Sequence, residues 1–328
     1  MDNGRRHAAE PASLLDAGWR DHLARGVVAY DPAGAEKVIA PPYRYHYLPE
    51  RAFRPGARKD PRPPPEGIRR PHAPCPFDEE SFVEQREVFL AERGGRKYHL
   101  VCNRYPVTPH HHLAVRMADA PPAVLPQHIH GPEEIEDFLL FLGMLGEPYR
   151  FYFNSNRGAD GSQSGSSVNH WHYQLFPYPK EAPSPLLVMT ATLLSDEGPL
   201  AVGRIDGWPA RHLFIDGGAE DAEAAARLLW RWLQPIHARS SAYNIEAVAL
   251  PGGRFRAFLF PRHPALDAAV PGAGTLSADF GGWECSGDIV IPTREILDWV
   301  RGHPGEALRL TEERLRETTR EVEDATAG

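Results

Sequence analysis

Polar and apolar side chains alternate most strictly over His170-Trp171-His172-Tyr173-Gln174-Leu175. Alternation is the period of a β-strand, whose side chains point to opposite faces in turn. The pattern predicts a strand that sends His170, His172 and Gln174 to one face and Trp171, Tyr173 and Leu175 to the other. A helix would scatter the same residues. Shorter runs predict strands at 87–90 and 98–103, joined by a turn at Gly94-Gly95, and further strands at 111–115 and 149–154. Between the last two lies a helical pattern over 132–146. Pro132 opens it, the acids Glu133, Glu134, Glu136 and Asp137 occupy its first turns, and Ile135, Phe138, Leu139, Leu142 and Leu145 make an apolar face. A shorter helix is predicted over 8–25, with Leu14, Leu15, Trp19 and Leu23 near one face.

The plan recurs downstream. A strand at 211–215, a helix over 219–237 rich in Ala, Leu and Trp, a strand at 243–250, a turn at Gly252-Gly253 and a strand at 254–260 follow in the same order. The last of these occupies the slot of the His-rich strand but carries no His-x-His. A short strand at 287–292 and a charged helix at 306–323 complete the chain. Antiparallel strands with helices laid across them predict an α+β fold. The expected organisation is a Pro-rich arm at 1–76, a catalytic half at 77–205, a degenerate second half at 206–304 and a terminal helix at 305–328.

Composition narrows the chemistry. The 328 residues carry a net charge of −8, so no basic excess is available to neutralise a nucleic-acid backbone. Three cysteines, Cys75, Cys102 and Cys285, are too few and too scattered for a disulfide framework or a cysteine zinc site. No signal-peptide core and no membrane-length apolar run is present, which predicts a cytoplasmic protein without a membrane partner. The 33 prolines cluster at 41–76 and mark an irregular segment.

Immediately before the His-rich strand runs Gly158-Ala159-Asp160-Gly161-Ser162-Gln163-Ser164-Gly165-Ser166-Ser167. Glycine and serine let backbone N–H groups and hydroxyls turn toward an anion. A His-x-His pair on a strand has three readings: packed structural histidines, a metal pair, or a nucleophile aimed at phosphorus. The tract His110-His111-His112 looks metal-binding, but consecutive strand residues face opposite ways, so a packed strand start is the better reading.

Taken together, His170-x-His172-x-Gln174, the Ser-Gly-Ser-Ser loop, Asn103-Arg104-Tyr105-Pro106-Val107 leading to His112-Leu113-Ala114-Val115, and Tyr149-to-Asn154 resemble the histidine-triad (HIT-like) superfamily. They resemble in particular its nucleotidylyltransferase and phosphorylase branch, which holds galactose-1-phosphate uridylyltransferase, diadenosine tetraphosphate phosphorylase and GDP-L-galactose phosphorylase. The resemblance implies a HIT-like antiparallel sheet, with two pseudo-repeated halves in one chain. It implies that His172 attacks the α-phosphorus to form a covalent nucleotidyl-histidine, that His170 orients it, and that Gln174 completes the catalytic triplet. Asn154, Ser164, Ser166 and Ser167 would then bind the phosphate, with Asn103 and Arg104 from the upstream block. Phe260-Pro261-Arg262-His263-Pro264 resembles an element of the phosphorylase-like relatives and nominates Arg262, with Arg254 and Arg256, for a phosphate.

Gln174 bears on the leaving group. Hydrolases of the superfamily carry a third histidine there, and an amide cannot act as an acid. The departing group should therefore be intrinsically good, a nucleotide or a sugar phosphate. The implied substrate is a nucleotide sugar or a dinucleoside polyphosphate, the acceptor orthophosphate or a sugar phosphate, with no cofactor. Cys75-Pro76-Phe77-Asp78 lacks the second cysteine of a metal pair seen in some relatives, so no zinc is expected. A sugar-1-phosphate nucleotidylyltransferase, a non-catalytic nucleotide-binding module and a metal-binding module remain as alternatives. The arm would suit exchange across a homodimer.

Overall fold

The two densest strand patterns in the sequence lie on either side of residue 205, and in the folded chain they join into one sheet. The computed structural model describes residues 10–53, 77, 87–116, 125–166, 168–178, 183–264, 268–270, 274–276 and 280–321. The expectations placed on Ser167, Cys75, residues 54–76 of the arm, residues 78–82 and the end of the terminal helix at 322–323 lie outside the described residues.

After helix α1 (Pro11–Ala24) come β1 (Lys37–Ala40) and β2 (Tyr43–Tyr47), then β3 (Glu87–Arg93), β4 (Arg96–Cys102) and β5 (His112–Arg116). Helix α2 (Pro132–Leu145) leads to β6 (Tyr149–Asn154) and β7 (His172–Pro177). The single turn α3 (Pro185–Val188) precedes β8 (Ala191–Glu197), β9 (Leu200–Ile205) and β10 (Leu213–Gly218). Helix α4 (Ala222–Ala238) is followed by β11 (Tyr243–Leu250), β12 (Arg254–Pro261), β13 (Ala268–Val270) and β14 (Gly274–Leu276). The turn α5 (Gly282–Cys285), β15 (Asp288–Ile291), α6 (Arg294–Gly302) and α7 (Pro304–Thr318) end the chain.

Ten strands form a single antiparallel sheet in the order β3-β4-β5-β7-β6-β11-β12-β10-β9-β8. The connection at Gly94-Gly95 is a tight turn with φ of 54° and 76°, which glycine adopts without steric cost. β9 pairs with β10 and β8 with β9, so both strands before the boundary expected at 205 lie at the end of the sheet away from β3. β1 and β2 pair with each other, and β2 runs parallel to β15, so residues 37–47 sit with the C-terminal layer.

The alternation read from the sequence decides what each face buries. Trp171, Tyr173 and Leu175 pack beneath α2 and α4 with Ile135, Phe138, Leu139 and Leu142. Phe138 stacks on Tyr173 with ring centroids 4.4 Å apart. α2 starts at Pro132 as expected and stops at Gly146, whose φ is 64°. Each buried large apolar side chain contributes roughly 1.5–3 kcal/mol, so this layer fixes which face of β7 meets α2. On the opposite face, Phe214, Phe258 and Phe260 of β10 and β12 pack under Tyr43, Tyr45, Ile289, Ile291, Leu297 and Leu315. That outer layer is also tied down by ions. Arg44 and His46 both reach Asp288 at 2.7 Å, and buried Arg150 meets Glu246 at 2.9 Å. Among the described residues no helix is long and apolar enough to cross a membrane.

Candidate active site

β7 begins at His172, two residues later than the alternation suggests. His170 lies in the bend before it. The two imidazoles still converge, because both rings pack against Phe77 at centroid distances of 5.5 and 5.6 Å. The predicted juxtaposition is present, with one member supplied by the entry to the strand.

His172 is buried, and its Nδ1 lies 2.7 Å from the carbonyl oxygen of His170. A carbonyl only accepts, so Nδ1 carries the proton and Nε2 of the neutral ring carries the lone pair. No described residue hydrogen-bonds to that Nε2. Burial lowers the pKa of His172 to about 4, partly offset by the His170 carbonyl, and the ring stays neutral at pH 7. His170 in turn places its Nε2 3.1 Å from the carbonyl of Arg116, on β5.

Gln174 is half-buried on the same face as His172 and hydrogen-bonds to His111. His111 is fully buried, with a pKa far below the usual histidine value because burial disfavours its charged form. The N–H of Val107 donates to its Nδ1 at 3.2 Å. The tract at 110–112 therefore splits as strand geometry requires. His111 faces the site, while His112 lies on the other side against Trp19, 6.1 Å between ring centroids.

Asn154 ends β6. Its Oδ1 accepts from Asn244 Nδ2 at 2.7 Å and from the N–H of Gly282 at 3.1 Å. Both partners are donors, so the amide is fixed with its NH2 turned away from them. Gly282 is required at that spot. A Cβ there would come within 2.3 Å of the Tyr152 ring.

The loop after β6 is built differently from a simple hydroxyl cradle. Ser164 directs its hydroxyl to the carbonyl of Ser155, and Ser166 donates to the carbonyl of Val168 at 3.0 Å. Asp160 holds the loop: it accepts from the N–H and hydroxyl of Ser162, from Ser241 at 2.8 Å and from Arg320 at 2.6 Å. Burial would raise its pKa, but these donors hold it below the usual carboxylate value. Of the upstream block, Asn103 lies 3.2 Å from His111 Nε2 and its Oδ1 takes the N–H of Tyr105. Arg104 is exposed and lies over Tyr105. Arg262 is fully buried. It donates to the Gln163 carbonyl and to Cys285 Sγ, each at 2.8 Å, and its remaining Nη2 has no hydrogen-bond partner. It makes no ion pair with a described carboxylate.

The structure therefore brings His170, His172, Gln174, Asn103 and Asn154 to one face of the sheet's first half. It sets Ser164, Ser166 and Arg262 as braces of the adjoining loop and leaves Arg104 at the surface. The residues not anticipated are Phe77, His111, Gln127 and Asn244. His111 had a usable signal, since it lies inside the Asn-Pro block ahead of a strand. The other three had none, because each reaches the site from a distant part of the chain.

No protein-family model matches the sequence, and no curated protein matches it. Solved structures do match. The crystal structure of yeast Ap4A phosphorylase Apa2 is 18% identical, with a TM-score of 0.64 over 94% of each chain. The same enzyme in complex with Ap4A is 19% identical, with a TM-score of 0.65 over 94% of this chain and 96% of that one. Its complex with AMP gives 19% identity and a TM-score of 0.62 over 93% and 94%. The chain has the fold of yeast Ap4A phosphorylase Apa2, an α+β fold, over 94% of its length.

Proposed function

We propose that this protein is a phosphorylase that cleaves a dinucleoside polyphosphate through a nucleotidyl group carried on His172. The observation that carries this reading is the state of that ring: buried, neutral, with Nδ1 committed to the His170 carbonyl and Nε2 facing the site without a partner among the described residues. The likeness to Ap4A phosphorylase Apa2, seen with Ap4A and with AMP, supports the substrate class.

In the first step, the Nε2 lone pair attacks the α-phosphorus and forms a P–N bond. The bond from that phosphorus to the bridging oxygen breaks, and the remaining polyphosphate leaves with the electron pair. For a dinucleoside tetraphosphate the leaving group is a nucleoside triphosphate, which needs no acid to depart. Gln174 presents N–H donors and no acidic proton, which suits such a leaving group. In the second step an oxygen of orthophosphate attacks the same phosphorus, the P–N bond breaks, and a nucleoside diphosphate is released with neutral His172 restored. The Asn154 NH2 and the Gln174 NH2 are the donors for the non-bridging oxygens, where charge builds up in both steps. A nucleotide sugar meets the same chemical demand, its sugar phosphate being an equally good leaving group, and a sugar phosphate is the rival acceptor.

The test incubates purified protein with diadenosine tetraphosphate and with GDP-, UDP- and ADP-sugars, with and without orthophosphate, and separates the products. Phosphate-dependent release of ADP and ATP from diadenosine tetraphosphate is the expected result. Loss of that release in His172→Ala, with an acid-labile nucleotidyl adduct trapped on the wild type in the absence of phosphate, completes it. Equal rates with and without phosphate would reassign the acceptor to water, and product from a sugar nucleotide alone would reassign the substrate.

A further inference from the structure

We propose that Gln127 is the positioning residue for His172: its carboxamide stands in for a missing strand and holds the main chain of the nucleophile. The proposal rests on the reading of His172 given above.

The ladder between β6 and β7 stops at the pair Tyr152–Gln174. Continued in register, it would pair Asn154 with His172. That pair does not form. Asn154 instead stays with β11, opposite Asn244, and its amide is taken by Asn244 and Gly282. The strands part at the level of the candidate nucleophile. This leaves the N–H and C=O of His172 on the β6 side without a backbone partner, at a residue that is itself buried.

Gln127 fills the vacancy. Its Oε1 accepts from the His172 N–H at 2.7 Å, and its Nε2 donates to the His172 carbonyl at 2.8 Å. One carboxamide thus supplies the acceptor and the donor that an opposing strand residue would have supplied. Its own main chain is equally engaged. The Gln127 N–H donates to Asn169 Oδ1 at 3.2 Å, and its carbonyl accepts from Asn156 at 2.7 Å. Two residues earlier, the Leu125 carbonyl accepts from the Trp171 N–H at 2.9 Å. Gln127 is fully buried.

The consequence is mechanical. Asn156 opens the loop that follows β6, and Asn169 to His172 lead into β7. Gln127 grips both, so it sets their separation. The His172 ring is oriented by the carbonyl of His170, and the main chain around that carbonyl is held by the same short segment. Only a side chain with a donor and an acceptor on one planar group serves at this position. Leucine would leave two buried main-chain groups unpaired, and glutamate would face the His172 carbonyl with a second acceptor.

The test uses the full chain with Gln127→Leu, Gln127→Glu and, as a control, Tyr243→Phe. The control removes the hydroxyl that accepts from the Ile129 N–H at 2.9 Å, on the same segment but away from His172. Turnover of diadenosine tetraphosphate with phosphate, the melting temperature and the 15N resonances of the His172 ring are measured. Gln127→Leu is expected to lower kcat by about 100-fold, the scale of a misplaced reacting group, with KM within about threefold. Its His172 ring should lose the single Nδ1–H tautomer. Gln127→Glu should fall between Gln127→Leu and wild type, and gives the reading if the leucine variant does not fold. Tyr243→Phe should lower the melting temperature and keep kcat. Unchanged kcat and an unchanged ring tautomer in the Gln127 variants would overturn the proposal, as would a kcat loss in Tyr243→Phe in proportion to its lost stability. If wild type turns over no dinucleotide, the functional reading falls, and the ring tautomer alone still decides the role of Gln127.

Discussion

Two buried histidines sit in the two halves of the ten-stranded sheet and differ in a single hydrogen bond. His172 opens β7, and His212 immediately precedes β10. Each directs Nδ1 to the carbonyl two residues earlier at 2.7 Å, and burial lowers the pKa of each to about 4. The Nε2 of His212 accepts the backbone N–H of Ile205 at 3.0 Å, whereas that of His172 meets no described donor. The surroundings differ in the same sense. Phe258 and Phe260 flank His212 beneath an aromatic layer, while Gln174, Asn154 and His111 share the face of His172. A neutral imidazole with its lone pair engaged by the backbone cannot attack phosphorus, and the open Nε2 of His172 is what the proposed reaction needs. His112, whose Nε2 is also unpartnered, lies against Trp19 on the other side of the sheet. Ring identity, burial and tautomer do not separate them.

The largest effect that would break this comparison comes from exchanging the roles. His172→Ala should reduce turnover by about 10⁴-fold or more, the scale of losing a covalent nucleophile, with little change in melting temperature. His212→Phe should keep turnover within about threefold and lower the melting temperature, because it orphans the Ile205 N–H at a cost of about 1–3 kcal/mol. Steady-state assays and thermal melts of the two variants side by side check both, and a dead His212→Phe enzyme would abolish the distinction.

His111→Ala should come next, with kcat reduced by about 10- to 100-fold. It frees the Gln174 amide to rotate but removes no group from the reacting atoms, so nucleotide binding measured by calorimetry should change little.

The pH dependence sharpens the comparison because it separates catalysis from stability. In the proposed reaction His172 attacks only when unprotonated, so kcat/KM should persist as pH falls through 6.5 and drop near 4. Stability follows the linkage rule. In the folded state both rings bind a proton only near pH 4, whereas in the unfolded chain they bind it near 6.5. The unfolded state therefore takes up more protons between those values. Their contribution is complete above 6.5 and is lost as pH falls toward 4. Thermal melts from pH 7 to 4 should show steep destabilisation, shallower in His212→Phe. A flat profile would mean that neither ring is held neutral.

The smallest effect is expected at the loop. Arg320→Ala removes the contact to Asp160 at 2.6 Å and the donor to the Arg262 carbonyl at 2.7 Å. The group is partly exposed, so the loss should be about 1 kcal/mol or less. KM should rise a few-fold with kcat unchanged, which kinetics against substrate concentration will show.

Much of the architecture was legible because it follows from local periodicity. The helix expected at 132–146 is present as Pro132–Leu145, and the Gly94-Gly95 turn and the strands at 149–154 and 254–260 are where the pattern puts them. The apolar alternates Trp171, Tyr173 and Leu175 face the helices, so the functional face of β7 was fixed by its hydrophobic neighbours. The loop was harder to read. Its serines were expected to serve a phosphate, but the hydroxyls of Ser164 and Ser166 satisfy nearby carbonyls, and the anchoring falls to Asp160, Ser241 and Arg320. Composition marks a loop as able to turn inward and does not say which partner each hydroxyl meets.

What the sequence determined by itself is the set of elements and the polar face of β7, because periodicity of side-chain direction is a local property of the backbone. It also placed His172 and Gln174 on that face. Tertiary structure alone decided that the His212 nitrogen is closed and that of His172 is not. The Ile205 N–H that closes His212 lies seven residues away across a turn, and the Gln127 amide that holds His172 lies 45 residues away. Such contacts depend on where strands part and where loops return, and no spacing along the chain encodes that.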